Sequence, residues 1–106
     1  MNINESMRLK LKVAWFKNFL GLSIDQVNSG QQHFLTPYYF WPKTEAWEQL
    51  KLELDSKIWL TQEEKIKTLK VTRDVMEYWL AYRNVKSVEN FKEDFEKSEI
   101  FIVNSK

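Results

Sequence analysis

Leu9-Lys10-Leu11-Lys12-Val13-Ala14-Trp15 and, after a short break, Leu20-Gly21-Leu22-Ser23-Ile24-Asp25 are the stretches that decide the fold of this chain. In both, apolar residues alternate with polar or small ones, which is the period-two mark of a half-buried strand. Lys17-Asn18 between them supplies a turn, since asparagine tolerates positive φ. Residues 8–27 are therefore expected to form an antiparallel hairpin with Leu9, Leu11, Val13 and Trp15 packed beside Leu20, Leu22 and Ile24. Alternation then sends Arg8, Lys10 and Lys12 to the face opposite the core, with Lys17 at the adjoining turn.

Downstream of the hairpin, Asn28-Ser29-Gly30-Gln31-Gln32-His33 is polar and reads as a loop. The next stretch, Phe34-Leu35-Thr36-Pro37-Tyr38-Tyr39-Phe40-Trp41-Pro42, is too aromatic for solvent and too rich in proline for a central strand or a helix interior. It is expected to lie extended over the core. Thr44 is a candidate N-cap for a helix near 45–57, with Glu45 and Glu48 in its first turn and Trp47, Leu50, Leu54 and Ile58 along one face. Thr61 with Glu64 fits a capping box that opens a second helix over about 62–83. Its apolar residues Leu69, Val71, Thr72, Val75, Met76, Tyr78, Trp79, Leu80 and Tyr82 span more than half the circumference, so cover on two sides is expected. Ser87 is placed to cap a short third helix that buries Val88, Phe91 and Phe95. Glu99-Ile100-Phe101-Ile102-Val103 is either a final strand or an apolar tail docked elsewhere. The class is thus α+β: a hairpin, an aromatic extended segment and two to three helices packed on the sheet. One domain over 1–106 is expected, with a core at about 8–83 and a C-terminal extension over 84–106.

Composition narrows the function. The 106 residues are 43% hydrophobic and 29% charged, a globular balance, and no run approaches the length of a membrane span. Without cysteine there is no thiolate metal site, disulfide or thiol nucleophile, and a single histidine, His33, leaves one candidate imidazole base. The net charge is +1, yet residues 1–43 carry five basic against two acidic side chains, so the positive end is the N-terminal one. Met1-Asn2-Ile3-Asn4-Glu5-Ser6-Met7 has neither an apolar signal core nor the character of a transit peptide, so the chain is expected to act where it is made.

Tests for chemistry come back empty. The two glycines, Gly21 and Gly30, stand alone, so no glycine-rich phosphate loop exists. Glu45/Glu48 and Glu63/Glu64 sit at helix starts, where dipole compensation accounts for them. His33 lies in a polar loop and reads as a surface residue. No catalytic residue, metal site, cofactor, small-molecule substrate or membrane is expected. The aromatic run Tyr38-Tyr39-Phe40-Trp41 is either core or, flanked by Lys43 and the lysines of the hairpin, a recognition surface for RNA or protein. Core is the expected role for most of its rings, with Tyr38 the one left at the surface.

Leu35-Thr36-Pro37-Tyr38-Tyr39-Phe40-Trp41-Pro42-Lys43-Thr44-Glu45-Ala46-Trp47-Glu48-Gln49-Leu50-Lys51, preceded by Gly21-Leu22-Ser23-Ile24-Asp25-Gln26 and followed by Trp59-Leu60-Thr61, resembles the plastid-specific ribosomal protein 3 family over about residues 9–83. The resemblance implies a structural, non-catalytic protein of the chloroplast or cyanobacterial small ribosomal subunit, supporting translation. It would be monomeric within the ribosome and would touch small-subunit rRNA and neighbouring ribosomal proteins. The plain N-terminus then implies a plastid-encoded copy, or a cyanobacterial cytoplasmic one. Arg8, Lys10, Lys12, Lys17, Tyr38 and Lys43 are the expected contact residues. The competing readings are a non-ribosomal interaction or regulatory module of the photosynthetic compartment, and a small enzyme.

Overall fold

A computed structural model describes residues 7–95 and 100–103, with side chains described from Leu9 to Phe95. The hairpin forms as the alternation requires: β1 (Met7–Trp15) pairs antiparallel with β2 (Leu20–Asn28), Leu11 opposite Ile24 and Val13 opposite Leu22. Its connecting turn is closed by the Phe16 N–H donating to the Phe19 carbonyl at 3.2 Å.

The polar stretch 28–33 is not a loop. Ser29 and Gly30 have φ of 52° and 84°, the two successive positive values of a two-residue hairpin turn, and they return the chain into β3 (Gln31–Phe34) against the end of β2. Gln31, Gln32, His33 and Phe34 are all exposed, so this strand has no apolar alternation by which it could be recognised. The aromatic segment is extended, as expected, and part of it is a strand. β4 (Tyr39–Trp41) pairs antiparallel with Leu20–Leu22, on the same edge of β2 as β3.

Between β3 and β4 the register sets four residues, Leu35–Tyr38, opposite two, Ser23 and Ile24. A ladder cannot continue through such a bulge, and Thr36 replaces it. Its hydroxyl accepts the Ile24 N–H at 3.0 Å, the Ile24 carbonyl accepts the N–H groups of Leu35 and Thr36 at 3.1 Å each, and Ser23 Oγ donates to the Thr36 carbonyl at 3.2 Å. Thr36 is accordingly buried. The other edge of the sheet, at β1, is taken by β5 (Ile100–Val103) in parallel, which selects the strand among the two readings of that segment. The order is β3-β2-β1-β5, with β4 sharing the outer edge of β2.

Three helices lie between β4 and β5 in the described chain. α1 (Ala46–Asp55) starts two residues beyond the expected Thr44 cap, because the Thr44 hydroxyl donates instead to the Phe40 carbonyl at 3.0 Å; Glu45 is the N-cap and makes no side-chain capping bond. Ending at Asp55, α1 leaves Ile58 outside the helix and 92% exposed, not on its buried face. Ala46, Leu50 and Leu54 are buried, while Trp47 is half-buried with its Nε1–H on the Leu69 carbonyl at 2.9 Å. α2 (Gln62–Tyr82) is capped by Thr61, whose Oγ1 accepts the Glu64 N–H at 3.1 Å. It buries Leu69, Thr72, Val75 and Trp79 against the sheet and α1. Cover stops there and at a flank: Tyr78 packs against Phe91 and Phe95, but Leu80 is 59% exposed, so the expected apolar belt is narrower than the sequence suggests.

α3 (Val88–Asp94) has the Ser87 cap, here a full capping box with Asn90, and buries Phe91 on Trp15 with ring centroids 4.8 Å apart. Trp79 joins three parts of the molecule. Its ring meets Trp41 at 5.5 Å and carries the Arg83 guanidinium, and its Nε1–H donates to the Phe16 carbonyl at 2.7 Å. Every helix therefore packs on the face bearing Leu9, Leu11, Val13, Leu20, Leu22 and Ile24.

Two substitutions test this architecture in denaturant titrations. Thr36→Val keeps the shape but leaves the buried Ile24 N–H without an acceptor, and should cost about 1–3 kcal/mol; an unchanged midpoint would mean the bulge is not held by that hydroxyl. Thr61→Ala strands an amide at the start of α2 and should cost about 1 kcal/mol, against no change if the helix begins elsewhere.

Candidate nucleic-acid interface

In β1 and β2 the residues between the core positions are Lys10, Lys12, Ala14, Gly21, Ser23 and Asp25, and they build the second face of the sheet. Sequence reasoning made this an open face with lysines pointing to solvent. The structure places Lys12 differently. Its side chain is only 10% exposed and its Nζ lies 3.2 Å from Asp25 Oδ2, which also accepts Gln32 Nε2–H at 2.7 Å. The ammonium also stands 4.4 Å from the Phe34 ring centroid and 5.2 Å from that of Tyr38. Burying one charge is costly unless its opposite is buried with it, so Lys12 is a structural partner of Asp25 and not a free phosphate contact. Asp25 Oδ1 is buried with no hydrogen-bond partner among the described residues, which makes that carboxylate depend on Lys12 and Gln32.

The other expected contacts fall into distinct positions. Arg8 lies in β1 opposite Val27, and its side chain is outside the described residues. Lys10 is half-buried opposite Asp25. Lys17 and Lys43 are exposed, at the hairpin turn and just after β4. Tyr38 is half-buried between Lys12 and Phe40 and is not the most exposed ring of its segment. Burial first, and the Asp25 charge second, hold its phenol above the ordinary tyrosine pKa, so it stays a neutral donor.

Of the exposed rings, Phe19 and Phe34 were not singled out by sequence reasoning, and Phe40 belongs to the aromatic run in which Tyr38 was the ring expected at the surface. Within the aromatic segment, the alternation of β4 sends Tyr39 and Trp41 to the helices, where Tyr39 Oη donates to Glu53 at 2.8 Å and Trp41 meets Trp79. Phe40 faces the other way, onto Gly21, where an added Cβ would come within 2.9 Å of the ring. That glycine is needed for room and not for its backbone angles. Phe40 then continues a row of rings across the second face: Phe16 to Phe19 at 4.4 Å, Phe19 to Phe40 at 5.6 Å, Phe40 to Tyr38 at 6.1 Å. Phe19, Phe40 and Phe34 are 37%, 40% and 76% exposed. Reading residues 31–34 as a strand would have found Phe34, since it then falls opposite Asp25.

At the turn end of this row is an open hollow of about 660 Å³ lined by Phe16, Asn18, Phe19, Phe40, Pro42 and Lys43. None of those residues is acidic, and Lys17 adjoins them in the chain. Such a surface offers apolar rings beside the Lys43 ammonium. Among the described residues, no three His, Cys, Asp or Glu side chains gather as a metal site, and no helix is long and apolar enough to cross a membrane.

Comparison with known proteins adds the relatives. Residues 35–82 match the family described as plastid and cyanobacterial ribosomal protein (PSRP-3 / Ycf65). The chain is 42% identical over 72 residues to a probable small ribosomal subunit protein cS23 of Synechococcus sp. (strain JA-3-3Ab), covering 68% of this chain and 73% of the relative. It is 34% identical over 88 residues to small ribosomal subunit protein cS23 of Gracilaria tenuistipitata var. liui, covering 83% and 89% respectively. It is also similar to small ribosomal subunit protein cS23z of Arabidopsis thaliana, 38% identical over 77 residues, 72% of this chain and 46% of that one. The match contains the bulge at Thr36, the aromatic strand β4, α1 and all of α2, and the chain belongs to the plastid and cyanobacterial ribosomal protein family PSRP-3/Ycf65.

Proposed function

We propose that this chain is a structural component of the small ribosomal subunit of a plastid or a cyanobacterium, where it supports translation without catalysing a reaction. The observation that carries this reading is the extent of its similarity to small ribosomal subunit proteins cS23, which spans 89% of the length of the relative from Gracilaria tenuistipitata var. liui. Its working form is one domain: the core at about 8–83 holds the family match, and 84–106 is an extension whose Phe91 packs on Trp15. It acts as a single copy within the subunit, touching rRNA and neighbouring ribosomal proteins.

The charge pattern supports a small RNA footprint. With a net charge of +1 the chain lacks the strong field of a protein threaded through RNA, and a few local cations must serve. Lys43 is exposed in the wall of the apolar hollow, and the exposed Lys17 lies in the chain between its Phe16 and Asn18.

Sedimentation of a tagged chain through a salt-containing gradient of ribosomal subunits tests the reading. The chain should travel with the small subunit; a chain that stays at the top of the gradient even at low salt belongs to a free interaction module instead. The lysines should separate into two kinds. Lys17→Gln with Lys43→Gln should leave the melt unchanged and reduce the salt slope of association by about 0.7–0.9 for each phosphate that is no longer neutralised. Lys12→Gln should instead lower stability by roughly 3–5 kcal/mol, because it leaves Asp25 buried and unpaired. Equal melts for all these variants would mean that Lys12 is solvated and the ion pair is not formed.

A further inference from the structure

The helices cover one face of the sheet, and the second face keeps three phenylalanine rings exposed. We infer that this face takes unpaired RNA bases, stacked on Phe19, Phe40 and Phe34, with the phosphates of the same strand on Lys17 and Lys43. The inference rests on the ribosomal reading for the presence of RNA and adds which form of RNA is bound and by what chemistry.

Three observations support single-stranded RNA. The first is the layout: a β-sheet with helices on one side and exposed rings on the other can lay ring faces against base faces, and bases in a duplex are already stacked on each other. The second is spacing. Phe19 stands 5.6 Å from Phe40 with its plane turned 85° to it, and Tyr38 lies 6.1 Å from Phe40 and nearly parallel at 18°, so the rings make one continuous apolar surface that offers faces in more than one direction to splayed bases. The third is charge. The hollow beside Phe19 and Phe40 has Lys43 in its wall and no carboxylate, while Asp25, the acid that β2 places on this face, is buried under its pairing with Lys12. Lys12 adds to the platform from below, its ammonium 4.4 Å from the Phe34 centroid, which leaves the ring's opposite face for a base. Phenylalanine has no polar edge with which to select a base, so binding should tolerate sequence and depend on strandedness.

The test is an NMR titration of the purified chain with a single-stranded oligoadenylate hexamer, and with a duplex of equal phosphate number. Single-stranded RNA should shift the ring signals of Phe19, Phe34 and Phe40, and the duplex should not. Phe19→Leu and Phe34→Leu keep an apolar side chain and remove the ring; each should weaken binding about 5- to 150-fold, the range expected when one stack is removed. Phe19→Trp and Phe34→Trp should retain it. Phe34 is 76% exposed, so the melts of its two variants should match the parent, and they separate loss of stacking from loss of fold if the Phe19 variants, whose ring also packs on Phe16, lose stability.

The inference is overturned if leucine variants bind as well as the parent. It is also overturned if the duplex binds equally, or if no ring signal moves at about 1 mM oligonucleotide, tenfold above the weak end of non-specific binding. Cross-links from this face within the subunit should fall on rRNA; cross-links to a ribosomal protein alone would identify a protein-docking face and overturn it too. Each of these failures leaves co-sedimentation with the small subunit untouched, whereas loss of co-sedimentation overturns the ribosomal reading itself.

Discussion

β2 has two edges of backbone donors and acceptors to satisfy, and only one neighbour, β1, is long enough to match it. The opposite edge is shared between β3 and β4, four and three residues long, with a bulge between them. Thr36 makes that sharing possible by taking the Ile24 N–H into its own hydroxyl. A buried amide without a partner costs as much as a packed methyl group or more, so the register of the whole aromatic segment is set here. Once Thr36 is seated, Tyr39 and Trp41 must face the helices and Phe40 must face away. The two sides of the sheet are thereby assigned by one hydrogen-bonded residue.

The side that faces the helices is an ordinary core. Leucines, valines and Trp79 fill it, and the capped starts of α2 and α3 bring Trp79 and Phe91 to the sheet. The other side is made from what remains of the same alternation. Its Lys12 and Asp25 cancel each other under two rings, and its phenylalanines are left partly in solvent. A ribosomal protein of nearly neutral charge gains little from long-range attraction to RNA. On the reading proposed above, its contacts with RNA come from shape and from exposed cations such as Lys17 and Lys43.

Much of this was legible in the residues themselves. The hairpin, the Thr61 and Ser87 caps and the extended aromatic segment all follow from local rules whose partners lie within a few positions of each other. What failed had two sources, chain that returns from further away and a local competitor for a capping hydroxyl. β3 could not be read because Gln31, Gln32 and His33 alternate nothing, and only the Ser29-Gly30 turn before them marked a hairpin. Lys12 obeyed the alternation and lies on the face it was assigned, yet Asp25, Phe34 and Tyr38 close over it, and no local pattern at residue 12 contains them. Thr44 had the identity of a helix cap, but the Phe40 carbonyl in the preceding turn competed for its hydroxyl and won. For the candidate site, then, the correct face was readable and its exposed rings were not: Phe40 became visible only when β4 fixed which of its rings point outward, and Phe34 only when β3 was paired with β2.

The most direct test is a density map of the small ribosomal subunit that contains the chain. The second face of the sheet, with Phe19, Phe40 and Lys43, should lie against rRNA, and the helices Ala46–Asp55 and Gln62–Tyr82 should cover the opposite face as they do here. A map in which that ring-bearing face looks into solvent, while α2 makes the contacts to RNA, would contradict it.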